Sequence, residues 1–337
     1  MVALSTPSNP PFRGLRRFDI TRDIGPTSYV IGEAFASELG ANDRAVLRQL
    51  RMMRFLSPLL WLAARTTPDF DAILGGFVWV EDGRIVGTLT LNRTVADDYH
   101  WLISNVGVLP EYRRRGIARE LVTAAVEDAR ARGGRVVTLQ VRENNVGAYQ
   151  LYSDLGFRFL EKTHSLEAER PVSPQVETAP LPVRALRMGD LEAAMTLARE
   201  VTPETYQSLV PLRRGEFIPP DSSDGWADGL YDFVRGYHLQ RMVVPDGDRL
   251  AALMTVRTRL RGGVHQLDLS ISPAWRGRIE TPLIAQVLSM FARHAQRPVN
   301  VDVNSRETDA VAVLQSFGFR IVTTLDRLGL PLGPPTR

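Results

Sequence analysis

Two stretches of this chain follow the same order of elements, and this internal duplication limits the possible fold more than any other feature. Each stretch has a hairpin with an Asp-Gly turn, then a strand, a helix, a second strand and a second helix. Gly156-Phe157 closes the first series and Gly318-Phe319 closes the second. Units of a solenoid recur every ~20–50 residues, so one recurrence at this larger distance indicates a duplicated domain. A chain of 337 residues is long enough for two domains.

The composition is that of a globular protein, with 44% hydrophobic and 23% charged residues. The net charge of +3 is spread along the chain, and the one dense basic cluster is Arg113-Arg114-Arg115. Nucleic-acid binders usually concentrate their charge on one element, so we expect no nucleic-acid partner. The chain has no cysteine, which excludes disulfides, thiolate metal sites and cysteine nucleophiles. The histidines lack metal-ligand spacing, so we expect no metal site.

No segment of the sequence predicts membrane insertion or secretion. The first fifteen or so residues lack the apolar region of a signal peptide. The longest apolar stretch, 56–64, contains Pro58 and is far shorter than the ~20 residues that a membrane-spanning helix needs. We therefore expect a cytoplasmic protein that does not bind a membrane.

A proline-rich segment without periodicity divides the chain at 172–182, and we interpret it as a linker between domains at 1–171 and 183–337. The first domain is predicted to be mixed α/β (α+β). Its predicted elements are a strand at 17–20, a helical region at 27–64, a hairpin at 77–91, strands at 101–108 and 136–141, and helices at 116–132 and 146–155. The second has a hairpin at 242–256, strands at 267–271 and 299–303, and helices at 282–295 and 308–317.

A basic, glycine-containing turn follows the strand at 101–108, where a helix is predicted to begin. The first N–H groups of a helix have no intrahelical acceptor and lie in a positive field, which favours anions. Small residues at Gly116 and Ala118 would let a phosphate approach the backbone, and Arg113 and its neighbours would add charge-assisted hydrogen bonds. The turn therefore predicts a pyrophosphate cradle. A solvated basic turn is the alternative, whereas dinucleotide binding is disfavoured because G-x-G-x-x-G is missing.

A second motif follows on the helix at 146–155. It consists of Asn145, Ala148, Tyr152, Gly156 and Phe157. With these residues the chain resembles the GNAT acetyltransferase superfamily, whose motif A reads Arg/Gln-x-x-Gly-x-Gly/Ala and whose motif B reads Asn-x-x-Ala-x-x-x-Tyr-x-x-x-Gly-Phe. Arg113, Gly116 and Ala118 fit motif A. The close resemblance covers roughly residues 85–157.

The resemblance implies two tandem GNAT-like domains, each with a mixed, largely antiparallel sheet, two splayed parallel strands and flanking helices. It implies that acetyl-CoA binds the first domain, with its pantetheine arm on the main chain of Val106 and Val108. The other expected cofactor-binding residues are Arg113, Arg114, Arg115, Gly116, Ile117, Ala118 and Asn145. An amine would attack the thioester directly in a ternary complex, and the N–H of Val106 would help to hold the oxyanion.

Tyr152 matches the family tyrosine that is proposed to protonate the departing thiolate, with a packing tyrosine as the alternative. The general base stays open. Some relatives, among them the ribosomal-protein alanine acetyltransferases, use a glutamate on the strand at 136–141, where this chain has Gln140. Asp98, His100 and Glu143 are expected in solvated loops, so a water relay or an already neutral amine is equally open.

The second domain departs from both motifs. Ile279 and Thr281 replace Gly116 and Ala118, and in motif B Glu307 replaces Asn145 while Leu314 replaces Tyr152. We therefore expect one acetyl-CoA per chain and a degenerate second domain that helps to shape the acceptor cleft. The acceptor is expected to be a small amine or a peptide. The alternatives are a non-catalytic acyl-CoA-binding sensor and an interaction scaffold; the oligomeric state is left open.

Overall fold

The computed structural model describes residues 12–36, 75–94, 97–170, 179–219, 222, 236–260, 262–292 and 297–333. The chain divides into two compact units. One comprises Met1–Leu139 with Leu330–Arg337, and the other comprises Gln140–Gly329. Of the expected linker, only residues 179–182 are described. The domain boundary at 172–182 therefore stays a prediction, and the elements below are given by compact unit.

The first unit contains a sheet in the order β1-β2-β3-β4-β5, in which β1 to β4 are antiparallel neighbours. The strands are β1 (Gly14–Arg17), β2 (Gly75–Glu81), β3 (Arg84–Thr94), β4 (Asp97–Val108) and β5 (Val136–Arg142), which crosses the unit boundary after Leu139. The helices are α1 (Ile20–Ala34) and α2 (Ile117–Ala131).

Two predictions near the N-terminus are wrong in their bounds. The strand predicted at 17–20 ends at Arg17, and Ile20 already begins α1. Asp19 is the N-cap of this helix, because its side chain accepts a hydrogen bond from the N–H of Thr21 at 2.9 Å. The helix predicted at 27–64 thus begins earlier than expected, and its part beyond residue 36 lies outside the described residues.

The first hairpin is confirmed. Its turn residues Asp82 and Gly83 both have positive φ, 51° and 73°. Two positive φ angles are what a two-residue type I′ turn requires, and this turn matches the twist of the strands it joins.

Helix α2 lies close on the sheet, and this contact fixes the position of its N-terminus. Its buried face is the one that the sequence periodicity predicts, and consists of Ile117, Leu121, Val122, Ala125, Val126 and Ala129. Gly87 on β3 makes the approach possible, since a Cβ there would lie 2.9 Å from Cγ2 of Ile117. The first turn of α2 is therefore held against β3.

The parallel pairing of β4 with β5 is short. It runs from His100↔Val136 to Ile103↔Leu139 and ends there, although β4 continues to Val108. Just beyond, Asn105 has a positive φ of 53° and the register with β3 shifts, which marks a β-bulge. Residues 104–108 have no pairing with β5 in the described chain, as expected for strands that separate.

The second unit contains a sheet in the order β12-β6-β11-β10-β9-β8-β7. Its strands are β6 (Arg158–Ala168), β7 (Arg184–Ala185), β8 (Tyr237–Asp246), β9 (Arg249–Arg259), β10 (His265–Ile271), β11 (Val299–Asn304) and β12 (Arg320–Pro331), whose last residues belong to the first unit. Its helices are α3 (Val146–Asp154), α4 (Leu191–Val201), α5 (Glu204–Gln207), α6 (Glu280–Phe291) and α7 (Thr308–Ser316).

Strand β6 lies between two strands from the far end of the chain. It pairs antiparallel with β11, with Ala168 opposite Val299, and with β12, with Lys162 opposite Asp326. Lys162 forms ion pairs with Asp326 across the strands, at 3.6 Å, and with Glu143. A strand from the first series of elements therefore completes the sheet of the second.

The core of the second unit is formed by the sheet and α6, with α4 covering a smaller cluster around Leu197 and Val243. Helix α6 begins at Glu280, two residues before the predicted start, and residues 293–295 of the predicted helix lie outside the described residues. Within the described ranges, no helix has both the length and the apolar character needed to cross a membrane.

Candidate functional site

The turn that leads into α2 presents unpaired backbone N–H groups. Arg114 and Gly116 have left-handed φ angles of 63° and 81°, and Gly116 is the N-cap of α2 without a side-chain cap. Among the described residues, the N–H groups of Arg114, Arg115 and Gly116 find no acceptor. A Cβ added at Gly116 would meet nothing within 4 Å. Such a turn at a helix N-terminus can bind an anion through its N–H groups.

Arg113 holds this turn in place. Its Nε donates to the carbonyl of Val108 at 3.0 Å, and its Nη2 donates to the carbonyl of Ala34 at 3.0 Å. The guanidinium therefore ties the turn to the ends of β4 and α1. These contacts favour a positioning role, and its predicted direct contact with the cofactor stays a prediction.

The two other arginines differ in how they are engaged. Arg115 donates to the carbonyl of Glu111 at 3.0 Å, lies 3.4 Å from the carboxylate of Glu81 and stacks on the ring of Tyr112. Arg114 is exposed and forms no ion pair with a described residue. Its charge is thus the one of the three that is available to an anion beside the turn.

The end of β4 provides the predicted main-chain contacts for the pantetheine arm. Val106 lies half-buried next to the bulge, and Val108 is buried at the end of the strand. The side-chain amide of Asn105 donates to Oγ1 of Thr90 at 3.2 Å and so ties the bulge to β3. Both valines lie beyond the last β4–β5 pair, where a strand edge is open to an extended ligand.

In the second unit, Tyr152 lies on α3 and is buried beside Phe157, with their ring centroids 6.0 Å apart. Burial raises the pKa of Tyr152 to about 12. The hydroxyl is therefore protonated at physiological pH and can act as a donor, but it cannot act as a base.

Asn145 has a structural function that explains its place in the motif. It is the N-cap of α3, and its Oδ1 accepts from the N–H of Ala148 at 3.1 Å. Replacing such a cap by alanine typically costs ~1 kcal/mol of stability. Its predicted role as a cofactor-binding residue stays a prediction.

The candidates for a general base are not poised for that role. His100 was expected in a solvated loop, which is wrong, because it is buried in β4 and its Nε2 lies 2.8 Å from Oγ1 of Thr138. Glu143 forms an ion pair with Lys162, whose hydrogen bond lowers the pKa of this carboxyl. Gln140 is exposed on β5. The side chain of Asp98 lies outside what the structure describes.

The equivalent turn in the second unit, which precedes α6, is closed by the side chain of Glu280. Gly277, which corresponds to Arg114, keeps a left-handed φ of 74°, but Ile279 in place of Gly116 has a φ of −116°. The buried carboxylate of Glu280 accepts from the N–H of Gly277 at 2.8 Å. A phosphate would have to displace this carboxylate. Glu280 was not among the residues expected to matter, although the sequence signals it through an acidic residue in place of Ile117.

Part of this chain is similar in sequence to known proteins. The acetyltransferase (GNAT) family profile matches residues 46–157. An N-acetyltransferase of Methanocaldococcus jannaschii is 35% identical over 107 residues, which are 29% of this chain and 42% of that protein. The [ribosomal protein bS18]-alanine N-acetyltransferase of Escherichia coli K12 is 38% identical over 81 residues, which are 24% of this chain and 53% of that enzyme. The match thus spans about half or less of these relatives' length.

Two solved structures share the fold over nearly the whole chain. A GCN5-related N-acetyltransferase from Sphaerobacter thermophilus aligns with a TM-score of 0.62 at 16% identity, covering 96% of this chain and 97% of that one. A tandem GNAT protein from the clavulanic acid biosynthesis pathway aligns with a TM-score of 0.58 at 19% identity, covering 96% and 100%. At these identities the two structures show a shared fold. Residues 46–157 thus match the acetyltransferase (GNAT) family, and the chain shares the fold of GNAT proteins over nearly its whole length.

Proposed function

We propose that this protein transfers an acetyl group from acetyl-CoA to a primary amine, and that the turn at Arg114 to Ala118 binds the pyrophosphate of the cofactor. The observation that carries the proposal is the contrast between two equivalent turns. The N–H groups before α2 are unpaired and face open space at Gly116, whereas Glu280 closes the turn before α6. One turn is thus ready for an anion and the other is already occupied by one.

The cofactor contacts follow from the first unit. The N–H groups of the turn and the charge of Arg114 would hold the pyrophosphate, at ~1.5–3 kcal/mol for each charge-assisted hydrogen bond. The open edge of β4 at Val106 and Val108 would pair with the amides of the pantetheine arm. Arg113 would hold the turn beside this edge through its hydrogen bond to the carbonyl of Val108.

In the proposed reaction the lone pair of the amine attacks the thioester carbonyl, and the N–H of Val106 donates to the oxyanion that forms. The C–S bond then breaks, the acetyl group stays on the nitrogen and CoA leaves as a thiolate. Tyr152 is the proposed donor to this sulfur, because its hydroxyl keeps its proton at every physiological pH. The proton of the attacking amine passes to water, since Gln140 and the ion-paired Glu143 are unsuited to accept it. Water returns a proton to Tyr152, which closes the cycle.

The acceptor is proposed to be a small amine or a peptide N-terminus. The E. coli relative acts on an alanine of ribosomal protein bS18, which makes peptides that begin with alanine a first choice of substrate. A cytoplasmic location is part of the same proposal, because acetyl-CoA is a cytoplasmic metabolite.

A second candidate function is a non-catalytic acyl-CoA-binding sensor. It is favoured because Glu143, the candidate base whose carboxylate the structure describes, is held in an ion pair with Lys162. Release of free CoA distinguishes the two. We expect acetyl-CoA to be cleaved faster with at least one member of a panel of polyamines, amino sugars and alanine-initiated peptides than without acceptor. Tight acetyl-CoA binding without cleavage over the whole panel would establish the sensor instead.

A further inference from the structure

The second unit contains a cavity of about 550 Å³ at the place that corresponds to the motif residues of the first series. It is lined by the end of α4, the segment into α5, and the turns that precede α6 and α7. Arg276 and Glu307 in its lining correspond to Arg113 and Asn145. The volume is within the ~300–1,000 Å³ of typical small-molecule sites.

The lining is unsuited to an acyl-CoA. Val201 and Pro203 are its only apolar members among the described residues, so an acyl chain would gain little by entering it. The neighbouring phosphate turn is closed by Glu280. A ligand of this cavity must therefore be small and polar.

Glu307 is the side chain that points to a ligand. It is only 5% exposed, although it lines the cavity and stands at the N-cap of α7, where it makes no capping hydrogen bond. Its Oε1 lies 3.5 Å from Nη2 of Arg276, and its Oε2 is buried without a hydrogen-bond partner. Buried polar atoms are normally paired, so Oε2 lacks a donor that a bound molecule can supply.

The same space is lined by three arginines and, besides Glu307, by Glu200 and Glu204. The Nε of Arg276 is also buried without a hydrogen-bond partner. Arg306 and Arg199 are exposed lining residues, and the backbone turn at Arg306 is fixed because its N–H donates to Oδ1 of Asn304 at 3.1 Å. The cavity thus combines a buried carboxyl oxygen that lacks a donor with a buried guanidinium nitrogen, Nε of Arg276, that lacks an acceptor.

We propose that this cavity binds a small zwitterion, of the class of free amino acids, with its ammonium on Glu307 and its carboxylate on Arg276 and Arg306. An ammonium supplies the donor that Oε2 lacks, and a carboxylate supplies acceptors for guanidinium groups. A ligand with only one charge leaves one side of the cavity unpaired. A phosphate would meet the carboxylates of Glu307, Glu200 and Glu204.

The test uses the full-length protein, thermal melting and calorimetric titration with the common free amino acids. For each amino acid that binds, the corresponding amide and α-hydroxy acid are titrated as well, because each lacks one of the two charges. We expect at least one amino acid to raise the melting temperature at millimolar concentration, and both analogues to bind at least tenfold more weakly.

Glu307→Gln removes the charge at nearly constant shape and is expected to weaken amino-acid binding at least tenfold. Glu192→Gln is the matched control, because it makes the same change at an exposed position at the start of α4, away from the cavity lining, and should leave binding unchanged. The exposed Arg306→Gln, expected to weaken binding several-fold, keeps the proposal testable if Glu307→Gln fails to fold. Acetyl-CoA should stabilise all three variants as it does the wild type.

The proposal is overturned if no amino acid binds, if the hydroxy acid binds as well as the amino acid, or if a folded Glu307→Gln binds with unchanged affinity. Acetyl-CoA binding is scored separately in the same melting experiments. Failure of the zwitterion site is therefore distinguishable from failure of the proposed acetyltransferase function.

Discussion

Asn145 and Glu307 occupy the same N-cap position of equivalent helices with almost the same backbone, at φ −90° and ψ 66° for Asn145 and φ −90° and ψ 61° for Glu307. Asn145 accepts from its own helix, whereas Glu307 faces Arg276. The duplicated halves thus share a backbone conformation at this position and differ in what the side chain binds.

One chain is expected to bind one acetyl-CoA. The turn before α2 has free N–H groups, whereas Glu280 occupies the equivalent N–H of Gly277. Calorimetric titration of the purified protein should give a stoichiometry near one. A second site of similar affinity would show that the buried carboxylate does not close the turn before α6.

Ala118→Glu is expected to prevent acetyl-CoA binding while leaving the protein folded. A carboxylate in the first turn of α2 competes with the pyrophosphate for the N–H groups, yet it is favourable for the helix by ~0.3–1 kcal/mol. Ala131→Glu is the matched control at the other end of α2, which should lose slight stability and keep acetyl-CoA binding. Melting temperatures with and without acetyl-CoA measure both effects. A full ligand-induced shift in Ala118→Glu would place the pyrophosphate elsewhere.

Gly116→Ile is expected to destabilise the protein as well as to weaken cofactor binding. The sequence predicts loss of binding without unfolding only if Gly116 has helical angles, but its φ is 81°. A β-branched residue in a left-handed conformation costs ~1–3 kcal/mol, whereas asparagine tolerates it. Gly116→Asn should therefore melt closer to the wild type than Gly116→Ile in the absence of ligand. Equal melting of Gly116→Ile and the wild type would contradict the left-handed turn.

Tyr152→Phe is expected to lower kcat by ~10²–10⁴-fold and to leave the Kd for acetyl-CoA nearly unchanged. Tyr149→Phe on the same helix is the matched control and should keep the wild-type kcat. Because burial raises the pKa of Tyr152 to about 12, its ionisation should not limit the rate below about pH 11. An unchanged kcat in Tyr152→Phe, measured where chemistry limits turnover, would return this residue to a packing role.

As the pH rises, the wild type is expected to lose stability relative to the variant Glu307→Gln. Burial raises its pKa from 4.5 to about 7, against the opposing effect of Arg276 and with a further rise from Glu280. A raised carboxyl pKa favours the folded protein below pH 4.5, and this contribution is lost as the pH rises through 7. Between pH 5 and pH 8 the difference in free energy of unfolding, variant minus wild type, should therefore increase by ~1–3 kcal/mol. Parallel pH profiles would show that Glu307 titrates normally.

The parts of the fold that depend on local patterns were predictable. The buried face of α2 follows from its 3.6-residue period, and the hairpin turn at Asp82 and Gly83 follows from the Asp-Gly pair. Strand β6 was missed because most of its side chains are only half-buried or exposed; Leu160, Leu166 and Ala168 are the buried ones. This leaves no clear period of two for sequence reasoning to detect.

The sequence predicted the residue types of the site, but not its backbone conformation or its side-chain contacts. That Gly116 and Arg114 take left-handed angles depends on the turn as a whole, and no single residue signals it. That Arg113 bonds to backbone carbonyls depends on where β4 and α1 end. The burial of His100 depends on Thr138 from the neighbouring strand, so the sequence around His100 suggested a loop.

The position of β6 between β11 and β12 affects how the protein is made as well as how it is held. During synthesis β6 leaves the ribosome long before β11 and β12 have been made. Leu166 and Ala168, which are buried in the complete sheet, therefore lack their partners during this time. Such non-local pairing slows folding and prolongs the exposure of strand edges. Within the first unit the carbonyl of Arg135 likewise receives its hydrogen bond from a residue far along the chain, the N–H of Leu332. The segment with the GNAT motifs therefore reaches its final structure only after β11, β12 and Leu332 have been synthesised.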